Sequence, residues 1–319
     1  MLQDLTITIP FMRFRMLGAI VSALITVAAL AIAMVKGIDY GLDFTGGTQI
    51  EMRYDAPPNL ESMRQLLERE GFANNEVVSI GSDQNVLVRV QNEGESVDAV
   101  EEARESGETA IRVSELLINA VNGGATMVGS TFVSSQVGDD LKEQGGLGML
   151  VATILLMLYI TIRFQYKFAV GAVLSVVHDG IVLIGFISLT GLDFDLNVLA
   201  AVMAVIGYSL NDTVVVADRV RENFRIMRGL TPEQIVDKAV SQTLMRTTVT
   251  ALTTLLVLFA LLFYGGQVLY GFSLVLIVGI LVGTYSSVYI ASSTLIFMDL
   301  TQEDMTPDKR HRAELDAIP

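Results

Sequence analysis

Two adjacent polar residues, Asn211 and Asp212, stand inside an apolar run that begins near Leu196 and reaches Ala217. About 20 residues of this kind suffice to cross a bilayer as a helix. A carboxylate near the centre of such a helix costs roughly 2.5–3.5 kcal/mol on insertion scales, so it turns toward a bundle interior or water; an ion or proton path is the functional reading, and a hydrogen-bonded contact between helices the alternative. Tyr208 and Ser209 lie one turn before it. A second pair, His178 and Asp179, sits midway along another apolar run, Phe168–Thr190, and a cation, Arg246, stands where a further run, Thr248–Tyr264, begins. Burial favours the neutral form of a carboxylic acid, whereas a guanidinium beside it favours the ionised form. Asp212 and Arg246 are therefore expected to bond and separate as a proton leaves and arrives. For His178 and Asp179 two readings stay open, a second titrating site and a hydrogen bond between helices. Asp218 and Arg219 fall at the expected water boundary and read as anchors of a helix end.

Six apolar runs must position these groups: Met16–Val35, Gly146–Ile162, Phe168–Thr190, Leu196–Ala217, Thr248–Tyr264 and Gly271–Met298. With 51% hydrophobic residues and a mean hydropathy of +0.52, the chain reads as a polytopic membrane protein rather than a soluble domain. It has no cysteine, which excludes thiol and disulfide chemistry. The net charge of −14 is concentrated in one stretch: residues 36–143 hold 20 acids against 8 Lys and Arg. No strongly basic face of the kind that binds nucleic acid is present. There is no phosphate-binding loop of the Walker type, and the two histidines are His178 and His311. No enzyme activity, cofactor or metal is expected.

The polar segment 36–145 opens on Gly41-Leu42-Asp43-Phe44-Thr45-Gly46-Gly47, read as a turn that re-aims the chain from membrane to domain. Alternation over Thr48–Tyr54 predicts a strand, and the spacing of Leu60, Met63, Leu66 and Leu67 predicts a helix to Glu70. Val77–Ile80 and Val86–Val90 read as strands around a turn, an acidic tract Glu93–Glu108 as a solvated helix or loop, Ile111–Val121 as a helix, and Ala125–Val133 as a last strand. The order β-α-β-β-α-β is the ferredoxin-like pattern. Further on, Thr231-Pro232-Glu233-Gln234 is a capping signal for an interfacial helix that turns into the fifth span. In the last span, Gly279, Gly283, Ser286, Ser287 and Ala291–Ser293 read as small residues for close helix packing.

Six spans put both termini on one side. The loop between the fourth and fifth spans holds Arg219, Arg221, Arg225, Arg228, Lys238 and Arg246, and the tail holds Lys309, Arg310 and Arg312, so both termini are expected in the cytoplasm. The expected division is a cytoplasmic N-terminus with the first span (1–35), an external domain (36–145), the second to sixth spans (146–298) with a cytoplasmic loop at 218–247, and a cytoplasmic tail (299–319).

The segments Gly41–Thr48, His178-Asp179, Gly207–Asn223 and Gln242–Thr247 together resemble the SecF branch of the SecD/SecF protein-export family. The resemblance covers nearly the whole chain. It implies half of an RND-type twelve-helix bundle in a bacterial inner membrane, with residues 36–145 in the periplasm. The implied partners are SecD, the SecYEG translocon with its SecA motor, YajC, YidC and exported preproteins, with no nucleic acid. It further implies use of the proton gradient to assist translocation. Asp212, Arg246 and Asn211 correspond to the proton path, with His178 and Asp179 as the open case, and Asp43, Gly46 and Gly47 form the motif at the domain hinge. The alternatives are half of a small-molecule exporter of the same superfamily and a non-catalytic assembly factor for the translocon.

Overall fold

The computed structural model describes residues 8–73, 75–80, 83–90, 99–120, 124–163, 165–302 and 304. The first part of the acidic tract, the middle of the turn before Asn85, and the tail beyond Asp304 lie outside the described residues.

A short 3-10 turn at Phe11–Phe14 leads into helix α1, Arg15–Lys36. After a single helical turn, α2 (Leu42–Thr45), the chain enters the domain: β1 Gly47–Tyr54, α3 Leu60–Arg69, β2 Asn75–Ser79, β3 Asn85–Val90, α4 Ala99–Ala120 and β4 Ala125–Val133. The sheet order is β2-β3-β1-β4, antiparallel throughout, with a bulge against β4 between Glu51 and Met52. This is the ferredoxin-like arrangement that the element order predicts. Alternation in β1 sends Ile50, Met52 and Tyr54 inward onto Leu67 of α3 and Val113 and Leu117 of α4. Asn59 caps α3, its side chain accepting from the N–H groups of Glu61 and Ser62 at 3.0 and 3.1 Å.

The acidic tract is more than a solvated face. From Ala99 it is the first half of α4, and Glu102, Ser106, Ala110, Val113 and Leu117 form its inner stripe. Ser106 hydrogen-bonds Thr48 of β1 at 2.7 Å. Spacing of three and four residues puts these side chains on one face, although Glu101, Arg104 and Glu108 pair along the outside.

Among the described residues six helices are long and apolar enough to cross a membrane, α1 being the first. After α1 come α5 Ser135–Arg163, α6 Tyr166–Thr190, α7 Leu196–Ile226 and α8 Pro232–Tyr264. The sixth span is composite: α9 Gly266–Ser286, a π-turn Ser287–Ala291 and α10 Ser292–Phe297. Three boundaries differ from the sequence expectation. Helix α5 begins at Ser135, eleven residues before the hydrophobic run, and α7 runs on to Ile226 rather than stopping at Ala217. Helix α8 starts at the capping box of Thr231 and Gln234 and continues without a turn into the fifth span, so the expected loop at 218–247 reduces to 227–231. The polar extensions are helical because they pack on each other. Arg219 Nε and Asn223 Nδ2 both donate to Gln242 Oε1, at 2.8 and 3.0 Å, while Val220, Phe224, Ile235, Val236, Ala239 and Val240 are buried.

Three residues of the glycine-rich entry motif tie the domain to the bundle. Gly46 and Gly47 adopt φ of 73° and 138°, a backbone that residues with a Cβ rarely take. Asp43 Oδ2 accepts from the N–H of Leu196 at 3.1 Å and Asp195 Oδ1 from that of Val198 at 2.7 Å, so the start of α7 is capped twice. Gly41 N–H donates to Phe194 C=O and Phe194 N–H to Asp39 C=O, and the rings of Phe44 and Phe194 stack at 5.8 Å. The motif is therefore a clasp on the turn between α6 and α7, as well as the re-aiming turn expected.

Candidate proton-relay site within the helix bundle

Asp212 sits near the middle of the 31-residue α7 and is 8% exposed. Both of its carboxylate oxygens accept hydroxyl hydrogens from other spans. Thr247 of α8 donates to Oδ1 and Ser287 of the π-turn donates to Oδ2, each at 2.6 Å. Asp179 of α6 is fully buried one helix away. Its Oδ1 lies 3.0 Å from His178 Nδ1, and its Oδ2 accepts from Ser209 of α7 and, at 2.8 Å, from Ser286 of α9. Ser175 in turn donates to Ser286 at 2.9 Å. The other ring nitrogen of His178 is buried with no hydrogen-bond partner among the described residues. His178 also borders an apolar cavity of about 290 Å³ between α1, α6 and the end of the sixth span.

Of the residues singled out in the sequence, Asp212, His178 and Asp179 thus lie in the bundle interior. Arg246 does not join them. It is exposed, and among the described residues no ion pair links it to Asp212. Its neighbour Thr247 makes the contact instead, because consecutive helix positions point about 100° apart. Asn211 is likewise exposed, beside Asp212. Asp218 pairs with Arg221 at 3.0 Å and Arg219 with Glu222 at 2.6 Å, both within α7, which continues to Ile226, so these residues do not mark the helix end that the sequence suggested. Sequence reasoning took Ser286 and Ser287 for packing residues and passed over Thr247 and Ser175. The available signal was two consecutive hydroxyls in an apolar span.

A second polar cluster joins domain and bundle. A cleft of about 480 Å³ is lined by Asp39, Tyr40, Glu76, Arg89 and Asp193. Arg89 Nη1 bonds Glu76 Oε2 at 2.8 Å. Burial, then the charge of Glu76 and a hydrogen bond to it, push the Asp193 carboxyl up to about 6, against the opposing charge of Arg89. Burial likewise pushes Asp195 up. An acid raised in the docked state holds protons that the undocked state has released. Docking of the domain on this turn is therefore strongest below the ordinary carboxyl range and weakens as pH rises from about 4 through 6. Amide exchange in residues 191–195 is expected to be slower at pH 5 than at pH 7.5, after correction for the intrinsic pH dependence. Asp193→Asn should flatten that difference.

The family model for the C-terminal part of SecD/SecF protein export membrane proteins matches residues 113–301, and the SecD/SecF GG motif matches residues 32–58. The protein translocase subunit SecF of Pseudomonas aeruginosa is 46% identical over 301 residues, covering 94% of each chain. The chain belongs to the SecD/SecF protein-export family. Among other family members, the SecF subunit of Vibrio alginolyticus is 40% identical over 98% of this chain and 97% of its own length. The SecDF protein of Thermus thermophilus is 37% identical over 89% of this chain. The crystal structure of SecDF, a translocon-associated membrane protein from Thermus, superposes with a TM-score of 0.78 at 33% identity over 92% of this chain. A crystal structure of SecDF in a super-membrane-facing form gives 0.64 at 32% identity over 97% of this chain. This chain spans 39% of each solved SecDF chain, so the family fold here is one part of a larger assembly in that protein.

Proposed function

We propose that this chain is the SecF-type half of a two-half membrane protein that assists protein translocation across the bacterial inner membrane and draws on the proton gradient. One observation carries the reading. Asp212, a buried carboxylate in the middle of a membrane helix, is held among the described residues by two hydroxyls, groups that can serve either its ionised or its protonated form. Burying such a group in a membrane is costly, and its default role is in ion or proton movement.

The second half is supplied by a SecD-like partner. Arg246 is one residue, about 1.5 Å of helix rise, from Thr247, which bonds Asp212, so Arg246 stands near the depth of the site. There both Arg246 and Asn211 face outward. A guanidinium and an amide at that level need a polar partner rather than lipid. That the Thermus relative carries both parts in one chain supports this pairing. SecYEG, YajC and YidC are further proposed partners, the last step being delivery of exported chains to the outer face. By the charge asymmetry, both termini lie in the cytoplasm and the ferredoxin-like domain lies in the periplasm.

The test uses the two halves reconstituted with the translocon. Translocation of a preprotein should be accelerated by a proton gradient, and collapse of the gradient should remove the acceleration only when this complex is present. Equal rates with and without the gradient would refute the reading. The orientation is checked with single cysteines at Ser62 and Leu230, since the chain has none of its own. An impermeant thiol reagent outside the cell should label the first and spare the second.

A further inference from the structure

The sixth span changes its winding at the level of both buried carboxylates. Helix α9 ends at Ser286, and the π-turn Ser287–Ala291 is closed by the Ser292 N–H on Ser287 C=O. Ser292 Oγ adds a second bond to the same carbonyl at 2.9 Å. π-turns are rare, occur mostly as single turns inside α-helices, and concentrate at functional sites.

The residues at the mouth of this turn are the two that touch the carboxylates, Ser286 on Asp179 and Ser287 on Asp212. Each hydroxyl also has a second acceptor within its own span. Ser286 Oγ lies 3.1 Å from Gly283 C=O, and Ser287 Oγ lies 3.0 Å from Thr284 C=O. A hydroxyl carries one hydrogen. An ionised carboxylate only accepts, so it takes that hydrogen. Once the carboxyl oxygen carries its own proton it donates to the serine oxygen, and the serine hydrogen turns to the carbonyl three residues back. Serine bonds to the preceding helix turn bend helices.

We propose that Ser286 and Ser287 are positioning residues that pass the proton state of Asp179 and Asp212 to the π-turn, each hydroxyl switching between a carboxylate and a backbone carbonyl. The proposal rests on the reading that Asp212 gains and loses a proton in use. Because the two serines are consecutive, carboxylates on two different helices meet at one peptide unit, so a change at either alters the backbone that holds the partner of the other. Helix α6 is pressed on the same turn, since a Cβ at Gly171 would lie 2.8 Å from Ala291 O. The other titratable or charged groups nearest the turn are His178 on α6, Tyr208 on α7, Asp237 and Arg246 on α8, and Tyr285 and Tyr289 on the sixth span, with Asp237 close enough for its charge to act on Tyr289 and itself accepting from the N–H of Met12 at 2.8 Å. Of these, His178 touches Asp179, and Tyr285 is engaged with Gly18 C=O at 2.8 Å.

Infrared difference spectra between acid and alkaline pH, taken on the purified two-half complex, test the switch. A carboxylic C=O band lost in Asp212→Asn identifies protonated Asp212, and one lost in Asp179→Asn identifies Asp179. Ser287→Ala should displace the first band and remove the backbone amide change that accompanies it, and Ser287→Thr should restore both. Ser286→Ala should displace the second band. Ser287→Cys, a weaker donor of similar size, gives a partial displacement and serves if the alanine variant fails to assemble. Unchanged bands in these variants would overturn the proposal, as would the lack of any band sensitive to Asp212→Asn over the pH range in which the complex stays folded. If the bands move as expected while Asp212→Asn still exports with full gradient dependence, the switch stands and the proton-driven function falls.

Discussion

Replacing Asp212 with asparagine should leave the complex assembled and remove the gradient-dependent part of protein export. Asparagine has nearly the size of aspartate. Its carbonyl can accept from Thr247 or Ser287, and its amide can donate to the remaining hydroxyl, so all three spans keep their contacts. What it loses is the ability to change charge. A membrane potential supplies about 2.3 kcal/mol per charge per 100 mV. That biases two arrangements of the bundle by a few tens-fold, because every 1.4 kcal/mol is about tenfold. Without a charge that comes and goes, the bias vanishes, and export should fall to the rate seen when the gradient is collapsed. Rates of preprotein entry into energised vesicles, with recovery of the partner half as the assembly control, make the measurement. Arg246→Met should approach the same defect by removing the outward cation next to Thr247, on the surface proposed to meet the partner half. Asp218→Asn, which alters the Arg221 pair away from the buried carboxylates, should be milder. Full gradient-dependent export by Asp212→Asn would reduce the carboxylate to a packing group.

The difference between Arg246 and Thr247 shows where sequence reasoning stops. The six spans are legible because apolar runs of bilayer length have few other uses, and β1 is legible because Ile50, Met52 and Tyr54 alternate. Asp179 and Asp212 are legible because a carboxylate among leucines and valines has no bland role on the lipid side. The partners of those carboxylates depend on the rotation of each helix, and a single residue step decides whether a side chain meets Asp212 or faces outward. Hydroxyl residues give little signal of their own. Thr250, Thr253 and Thr254, on the same helix as Thr247, bond backbone carbonyls of their own helix, as serine and threonine in apolar helices commonly do. The polar extensions of α7 and α8 were hidden for a related reason. Charged residues past the hydrocarbon boundary look like loop, and the burial of Val220, Phe224 and Val236 beneath them emerges only when the two helices are laid together.

A second large effect should come from Gly279. A Cβ there would overlap the side chain of Val205 on α7, and one at Gly283, one turn on, would lie 2.9 Å from Ser209 Cβ. The two glycines therefore let α7 and α9 approach at backbone distance, the role of small residues four apart in membrane helices. This approach also sets the site, because Ser209 reaches Asp179 from α7 while Ser286 and Ser287 reach both carboxylates from the sixth span. Leucine at 279 must push the helices apart. Overpacking of this kind costs typically about 1–3 kcal/mol even where neighbours can yield, and here the obstacle is a β-branched side chain fully buried against the same helix. Gly279→Leu should lower the melting temperature of the purified complex by several degrees and abolish gradient-driven export. Trimming the obstacle separates a steric cause from a general defect. Val205→Ala combined with Gly279→Ala should be more stable than the sum of the two single losses, a positive coupling expected only for residues in contact. Strict additivity of the pair, or a Gly279→Leu complex as stable as the parent, would show that the sixth span does not set the Asp179 and Asp212 geometry through this contact.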